Sequence, residues 1–321
     1  VVWKVGAGVT SHRVGDEVVI NGTSTCGDCD ACRGPDPLSC EHVRAHGYET
    51  PYGTFAQFTL VHERQLLPKP TQLTWEEAAS YPVALFTAYR MLRRADTKKG
   101  ESVLIWGAAG GLGCFAIQLT LLLGGTPVAV VSSEEKARLA RELGARIVLN
   151  RCDFPGLAYQ AGESEDQRKR RLEATKAFGR AIARGLGEPP GHARGVDVVF
   201  EHVGQETLPA SIFLAARMGR VVTCGATTGY DVTFDIRHLW MRQKSIIGSH
   251  GSNLEDGARA NELMQQGKLR PVLTKLYPFS KIPLAHEEMQ DNSKLGNVVC
   301  LVCAPRAGLK TLAEIYSGTA S

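Results

Sequence analysis

Two groups of residues in this 321-residue sequence have types and spacings that could do chemistry. The first is Cys26, Cys29, Cys32 and Cys40, spaced C-x2-C-x2-C-x7-C in a stretch rich in Gly, Asp and Pro. Four thiolates on a tight loop can close a tetrahedral zinc site and tie down a lobe with no apolar core of its own. With four protein ligands no coordination position stays open, so such a zinc is structural and takes no part in catalysis. The same thiolates could hold an iron–sulfur cluster, or stay free in a loop. The second group is Gly107, Gly110, Gly111 and Gly113, with Ala108 and Leu112 between them. Glycines at such a turn let the backbone approach a pyrophosphate, which the N–H groups and dipole of the next helix then hold. A plain tight turn is the other reading of the glycines alone.

These glycines sit inside a recognisable unit. Val103 to Trp106 is an apolar run short enough for a buried parallel strand, and Leu112, Phe115, Ala116, Leu119 and Leu123 repeat with a helical period. Val128 to Val131 reads as a second buried strand. Strand, glycine turn, helix and strand make one βαβ unit, which favours the dinucleotide reading. Where an NAD-binding unit often carries an acidic residue, this chain has Ser132 and Ser133, with Lys136 and Arg138 beyond. Hydroxyls and a cation accept a 2′-phosphate that a carboxylate would repel, so the expected cofactor is NADPH. Ser133 can also cap the following helix.

The rest of the chain must position these groups. Val1 to Ile20 reads as strand, glycine turn and strand, and Gly53 to Leu60 as a further strand-like alternation. Thr74 and Glu77 form a capping box for a helix running through Ala78 to Leu92. Ala137 to Ala145 is helical and Ile147 to Asn150 a strand, followed by a long connection with a charged helix in its middle. Buried strands at Val196 to Phe200, Arg220 to Cys224 and Ser245 to Ile247 follow. Ligands bind outside the strand ends of an open parallel sheet, which adds Arg151, His202, Ala226 and Thr227 to the candidate cofactor set. For His202 both a stabilising contact and a catalytic role are open. His42 and His46 are expected at the surface. Leu254 to Val302 holds one helix and strands suited to completing the first domain. The fold class is α/β, a doubly wound parallel sheet with a second, mainly-β domain.

Composition bounds the function. A hydrophobic fraction of 43% is ordinary for a soluble globular protein, and a net charge of +4 does not argue for nucleic acid. Arg168 to Arg171 lacks interleaved aromatics; it reads as a solvated helix face, or as cations that meet the phosphates of a bulky substrate. No apolar run reaches the ~18 residues of a membrane helix, so no membrane partner is expected. Nine cysteines do not suggest a secreted disulfide scaffold, and a reducing cytoplasm is the expected compartment. Val1 is not an initiator Met and the opening reads like the middle of a β-domain, so an N-terminal portion is expected to precede it.

The zinc loop, the glycine turn and the domain order resemble the medium-chain dehydrogenase/reductase superfamily. Within it the chain most resembles the crotonyl-CoA carboxylase/reductases, through GYETPYGTFAQFTLV, QLLPKPTQLTWEEAA, TAYRML, VLIWGAAGGLG, VVSSEEK, VDVVFEHVG, TTGY followed by DIRHLWMRQKSIIGSH, and VCAPRAGL. The resemblance implies a GroES-like catalytic domain over 1–85, with a zinc lobe at 21–46. It also implies a Rossmann NADPH-binding domain over 86–250 and a return to the catalytic domain over 251–321. It further implies a homodimer or homotetramer paired through the Rossmann domains. The implied activity is NADPH-dependent reduction of a 2-enoyl-CoA thioester, with CO2 captured by the resulting enolate. The family's CO2 pocket uses a Phe-Glu pair, a His after Gly-Ser, and an Asn from the N-terminal region. Tyr48 stands where Phe is usual, Glu49 and His250 match the carboxylate and imidazole, and the Asn falls before Val1 on this reading. Gly251 replaces the usual aromatic, and the family usually lacks the four-Cys lobe. Val83 stands where zinc alcohol dehydrogenases hold a catalytic-zinc cysteine, which argues against alcohol oxidation.

Reduction at Cβ leaves an enolate that needs donors near the thioester oxygen, and a dry pocket without a proton source favours carboxylation over protonation. A Glu49–His250 pair could orient CO2 or water there, or could merely fix a domain interface. Two alternatives stand beside the carboxylating enzyme: a non-carboxylating enoyl-CoA or quinone reductase of the same superfamily, and a non-catalytic NADPH sensor.

Overall fold

The computed structural model describes residues 1–291 and 295–317. The chain divides into two compact units, Val1–Thr87 with Gly251–Ser321, and Ala88–His250.

The first unit begins with short strands: β1 (Val18–Ile20), β2 (Thr23–Ser24), β3 (Arg44–Ala45) and β4 (Leu66–Pro68), with helix α1 (Asp30–Arg33) in the cysteine loop. β1 pairs antiparallel with β4, and β2 with β3. Residues 1–5 are not a strand, although Val2 and Gly15–Asp16 exchange two backbone hydrogen bonds. The alternation at 53–60 is not a strand either: it finds no ladder partner among the described residues, and Phe55, Phe58 and Leu60 stay exposed. Helix α2 (Trp75–Ser80) starts with the expected capping box, Thr74 with Glu77. The single helix expected to follow is instead two. Tyr81 ends α2 and Pro82 opens α3 (Pro82–Arg94), because proline has no N–H to continue the ladder and suits a helix start.

The second unit is regular. In chain order it contains β5 (Ser102–Ile105), α4 (Gly111–Leu122), β6 (Thr126–Val131), α5 (Glu134–Glu142), β7 (Ile147–Asn150) and α6 (Glu165–Gly185). There follow β8 (Val196–Glu201), α7 (Leu208–Leu214), β9 (Ala215–Thr223), α8 (Arg237–Trp240) and β10 (Ser245–Gly248). The six strands form one parallel sheet in the order β10-β9-β8-β5-β6-β7. The chain winds outward in both directions from the β5–β8 junction, the switch point at which doubly wound sheets bind nucleotides. β5 is buried along its whole length, as its continuous apolar run requires. The charged α6 buries one stripe, including Thr175, Phe178 and Ile182, and Phe178 stacks on Trp106 with ring centroids 5.7 Å apart.

The return to the first unit adds α9 (Leu254–Gln265), β11 (Leu273–Pro278), α10 (Ile282–Gln290), β12 (Asn297–Leu301) and α11 (Leu312–Ser317). Among the described residues two α-helices therefore lie between Leu254 and Val302 instead of one; Pro283 near the start of α10 suits its first turn. The two ends of the chain interlock in this unit. The buried Lys69 ammonium donates to the carbonyls of Leu73 (2.9 Å) and Lys310 (2.7 Å), and Trp75 N–H donates to Leu309 O (2.9 Å).

Candidate active site

The sheet register gathers the nucleotide candidates on one rim. Ile105 pairs with Phe200, and Trp106 N–H donates to Phe200 O, so Gly107 emerges beside His202. His202 Nε2 lies 2.9 Å from Trp106 O; a carbonyl only accepts, so this nitrogen carries the proton. Gly107 has φ +56°, and a Cβ there would lie 3.0 Å from His202 Cε1. A Cβ on Gly113 would stand 2.4 Å from Gly107 O and 2.5 Å from Ala108 Cα, so the first turn of α4 packs on the glycine turn only without a side chain. Gly110 is the N-cap of α4, and no side chain caps this end. The first N–H groups of α4, at Gly111, Leu112 and Gly113, are thus left for an anion, as a diphosphate requires.

Ser133 caps α5, accepting from Lys136 N–H at 3.2 Å, while Lys136 Nζ donates to Ser132 Oγ at 3.2 Å. Cap and phosphate readings of this serine pair are therefore compatible, because both use the same helix end. Val131 pairs with Asn150, which brings Arg151, exposed at the start of a short 3-10 turn, alongside Ser132. Across the switch point, Thr227 N–H donates to His202 O at 3.4 Å and Ala226 packs on Gly204. Cysteine 152 was not among the sequence candidates, yet its thiol donates to Ser132 O at 3.5 Å.

The four cysteines converge. Cys26 Sγ lies 3.7 Å from Cys32 Sγ and 3.5 Å from Cys40 Sγ, and all four sulfurs are within 4.8 Å of one another. Zinc–sulfur bonds of about 2.3 Å would place tetrahedral sulfurs ~3.8 Å apart, so this donor set fits structural zinc. Backbone N–H groups of Gly27 (3.2 Å) and His42 (3.3 Å) point at Cys32 and Cys40 sulfur, as thiolates require. A hydrogen bond from Thr25 leads the effects that hold the Cys32 thiol down at about 6. His42 is exposed, but His46 is half-buried with Nε2 3.0 Å from Thr59 Oγ1, and burial lowers its pKa. His46 is therefore no simple surface residue.

The candidate CO2 residues have clear individual settings. Tyr48 is 89% exposed. Glu49 is its neighbour in a tight turn and folds back so that Oε2 accepts from Ala45 N–H at 2.7 Å. His250 is exposed and follows the end of β10 by two residues. Val83, on α3, is 72% exposed and offers no ligand atom.

A cationic cavity was not foreseen. It has a volume of about 600 Å³ between α6, the 188–195 loop, α7, β9 and α8. Seven cations line it, among them Arg180, Arg217, Arg237, Arg242 and Lys244, together with apolar residues such as Phe213 and with Glu188 as the one carboxylate in the lining. The buried Lys244 ammonium donates to Ile212 O (2.6 Å) and Phe213 O (3.1 Å). Burial first, and Arg242 second, push its pKa down to about 8. Asp235 holds Arg237 in a two-pronged pair. The Arg168–Arg171 run does not supply this cavity: Arg171 is spent on Glu163 at 2.6 and 2.8 Å. The cavity's cations come from separated segments, so no single stretch of sequence announces them.

A GroES-like unit carrying a four-sulfur lobe, joined to a six-stranded doubly wound sheet with a glycine turn at its switch point, defines a medium-chain dehydrogenase/reductase. The family profile described as "Alcohol dehydrogenase GroES-like domain" matches residues 1–71, and "Zinc-binding dehydrogenase" matches residues 111–266. The chain is 44% identical to a crotonyl-CoA carboxylase/reductase of Cereibacter sphaeroides, over 98% of this chain and 73% of that protein. It is 39% identical to a crotonyl-CoA reductase of Streptomyces avermitilis, over 96% of this chain and 68% of the relative. Among solved structures, a crotonyl-CoA carboxylase/reductase superposes with a TM-score of 0.91 at 42% identity, covering 98% of this chain and 74% of the other. A 2-octenoyl-CoA carboxylase reductase in complex with NADP and 2-octenoyl-CoA superposes at 0.88 with 38% identity, over 99% and 70%. The chain belongs to the crotonyl-CoA carboxylase/reductase family.

Proposed function

We propose that this chain reduces a 2-enoyl-CoA thioester with NADPH and that the enolate so formed attacks CO2 through its α-carbon, giving an alkylmalonyl-CoA. The observation that carries this reading is the single rim holding both the uncapped α4 N-terminus and the Ser132–Ser133–Lys136 cluster. NADPH, when bound, supplies the hydride. The N–H groups of α4 would hold its diphosphate, and Ser132, Ser133, Lys136 and Arg151 would hold the 2′-phosphate. The remaining rim residues, His202, Ala226 and Thr227, line the path toward the nicotinamide end. The cationic cavity takes the phosphates of the CoA moiety, since guanidinium forks match phosphate oxygens and the apolar lining residues suit the adenine ring.

The family pattern assigns the handling of CO2 to the positions of Glu49 and His250, with Tyr48 at the position beside Glu49. Hydride delivery to Cβ leaves negative charge on the thioester oxygen, and keeping proton donors away from the α-carbon lets CO2 compete for it. In this reading 1–85 with 251–321 is the catalytic domain and 86–250 the nucleotide domain. The enzyme works in the cytoplasm, a compartment that suits nine cysteines outside any disulfide, and pairs as a homodimer or homotetramer through the outer edge of β10. Among the described residues β10 pairs only with β9, and Ile246 on it is exposed. The substitutions at Tyr48 and Gly251 favour a second reading, a reductase that protonates the enolate instead.

Product mass from crotonyl-CoA and NADPH, with and without bicarbonate, tests these readings. Bicarbonate-dependent gain of one CO2 is the expected result. A saturated acyl-CoA under both conditions establishes the plain reductase, and no NADPH consumption leaves only a sensor.

A further inference from the structure

We propose that Glu201 is a positioning residue for the nucleotide: its buried carboxylate sets the turn at Gly107 through His202. The proposal rests on the NADPH reading of that rim. Glu201 is fully buried, and no cation pairs with it among the described residues. Oε1 accepts from Val203 N–H (2.8 Å), Gly204 N–H (3.2 Å) and Thr207 Oγ1 (2.9 Å), and Oε2 from Ser211 Oγ (2.5 Å). Trp106 Nε1–H donates to Ser211 Oγ at 2.8 Å. An indole nitrogen only donates, so the Ser211 hydroxyl passes its own hydrogen to Glu201. Every partner donates, and both oxygens are acceptors only.

The bonds close a circuit. Trp106 is tied to Glu201 through its indole and Ser211, and its carbonyl accepts from His202, the residue next to Glu201. The His202 ring in turn fills the space that a side chain on Gly107 would need, its Cε1 lying 3.0 Å from where a Cβ would stand. A buried carboxylate without a counter-ion is costly, and it does not cap α7: its backbone donors are Val203 and Gly204, and no side chain caps that helix. What the charge adds is one rigid point tying the end of β5, the 202–204 turn and the start of α7. Those segments flank the glycine turn at which the nucleotide's diphosphate would be held.

Glu201→Gln keeps the size and removes the charge; Ser211→Ala cuts the Trp106 link and spares the other donors. NADPH affinity by calorimetry should fall about tenfold in Glu201→Gln and about threefold in Ser211→Ala, with the double variant less than additive. The KM for crotonyl-CoA should stay within about twofold of the wild type, and Trp106 emission should shift in both variants relative to a Trp106→Phe control. Unchanged NADPH affinity in both variants, with only melting temperature lowered, overturns the proposal and leaves Glu201 a structural residue. A wild type that takes up no NADPH overturns the cofactor reading itself, and this inference with it. If Glu201→Gln fails to fold, the Ser211→Ala result decides.

Discussion

Ser132 carries the cofactor preference at the level of one side chain. Its hydroxyl accepts from Lys136 Nζ, and a carboxylate there would both pair with that ammonium and repel a 2′-phosphate. Ser132→Asp should lower the NADPH-to-NADH ratio of kcat/KM by at least about tenfold, read by steady-state kinetics with each cofactor. Lys244 gives a pH signature. Its folded pKa is lowered to about 8, so between about 8 and the ordinary ~10.4 the native state holds fewer protons than the unfolded chain. Stability contributed by this group therefore rises with pH across that window, while the cavity loses a positive charge. The KM for crotonyl-CoA should rise roughly threefold to fivefold from pH 7 to 9, and Lys244→Arg should flatten the rise. Ser132, Ser133 and Lys136 were legible because they are contiguous and follow a strand. Glu201 and Lys244 were not, because their meaning lies in partners far along the chain and in full burial, which residue type alone does not reveal.

Among the elements, the βαβ core was readable because propensity, periodicity and glycine spacing all agree from β5 to β6. Gly113→Ala tests that agreement: a Cβ would meet backbone at 2.4 Å, and neither turn nor helix can yield. The variant should lose NADPH uptake in calorimetry together with about 2–3 kcal/mol of stability. The cysteine lobe was legible from spacing alone. Cys40→Ser should abolish stoichiometric zinc in elemental analysis and lower the melting temperature, since a metal that binds only the folded lobe adds its binding energy to folding. Local pattern failed where pairing decides. The 53–60 alternation has strand period but no ladder neighbour among the described residues, and the break at Pro82 was hidden inside an otherwise helical run.

For the whole molecule, the strand order and the exposed apolar residues at the sheet margin point outward. β10 offers an unpaired edge with Ile246 at 38% exposure, and Trp240 and Met241 are 62% and 56% exposed. In the proposed assembly Ile246→Lys should shift sedimentation toward the monomer, because a charge on an edge strand blocks strand addition. The cavity was invisible at this scale from sequence because the overall charge of +4 conceals seven cations gathered from distant segments. The division of the chain also dictates an order of events during synthesis. Residues 88–250 are contiguous and can collapse as soon as they leave the ribosome, whereas the flanking unit holds its N-terminal half open until Leu309 and Lys310 arrive to meet Trp75 and Lys69. A nascent chain stalled before residue 309 should therefore present a protease-resistant middle and a protease-sensitive beginning.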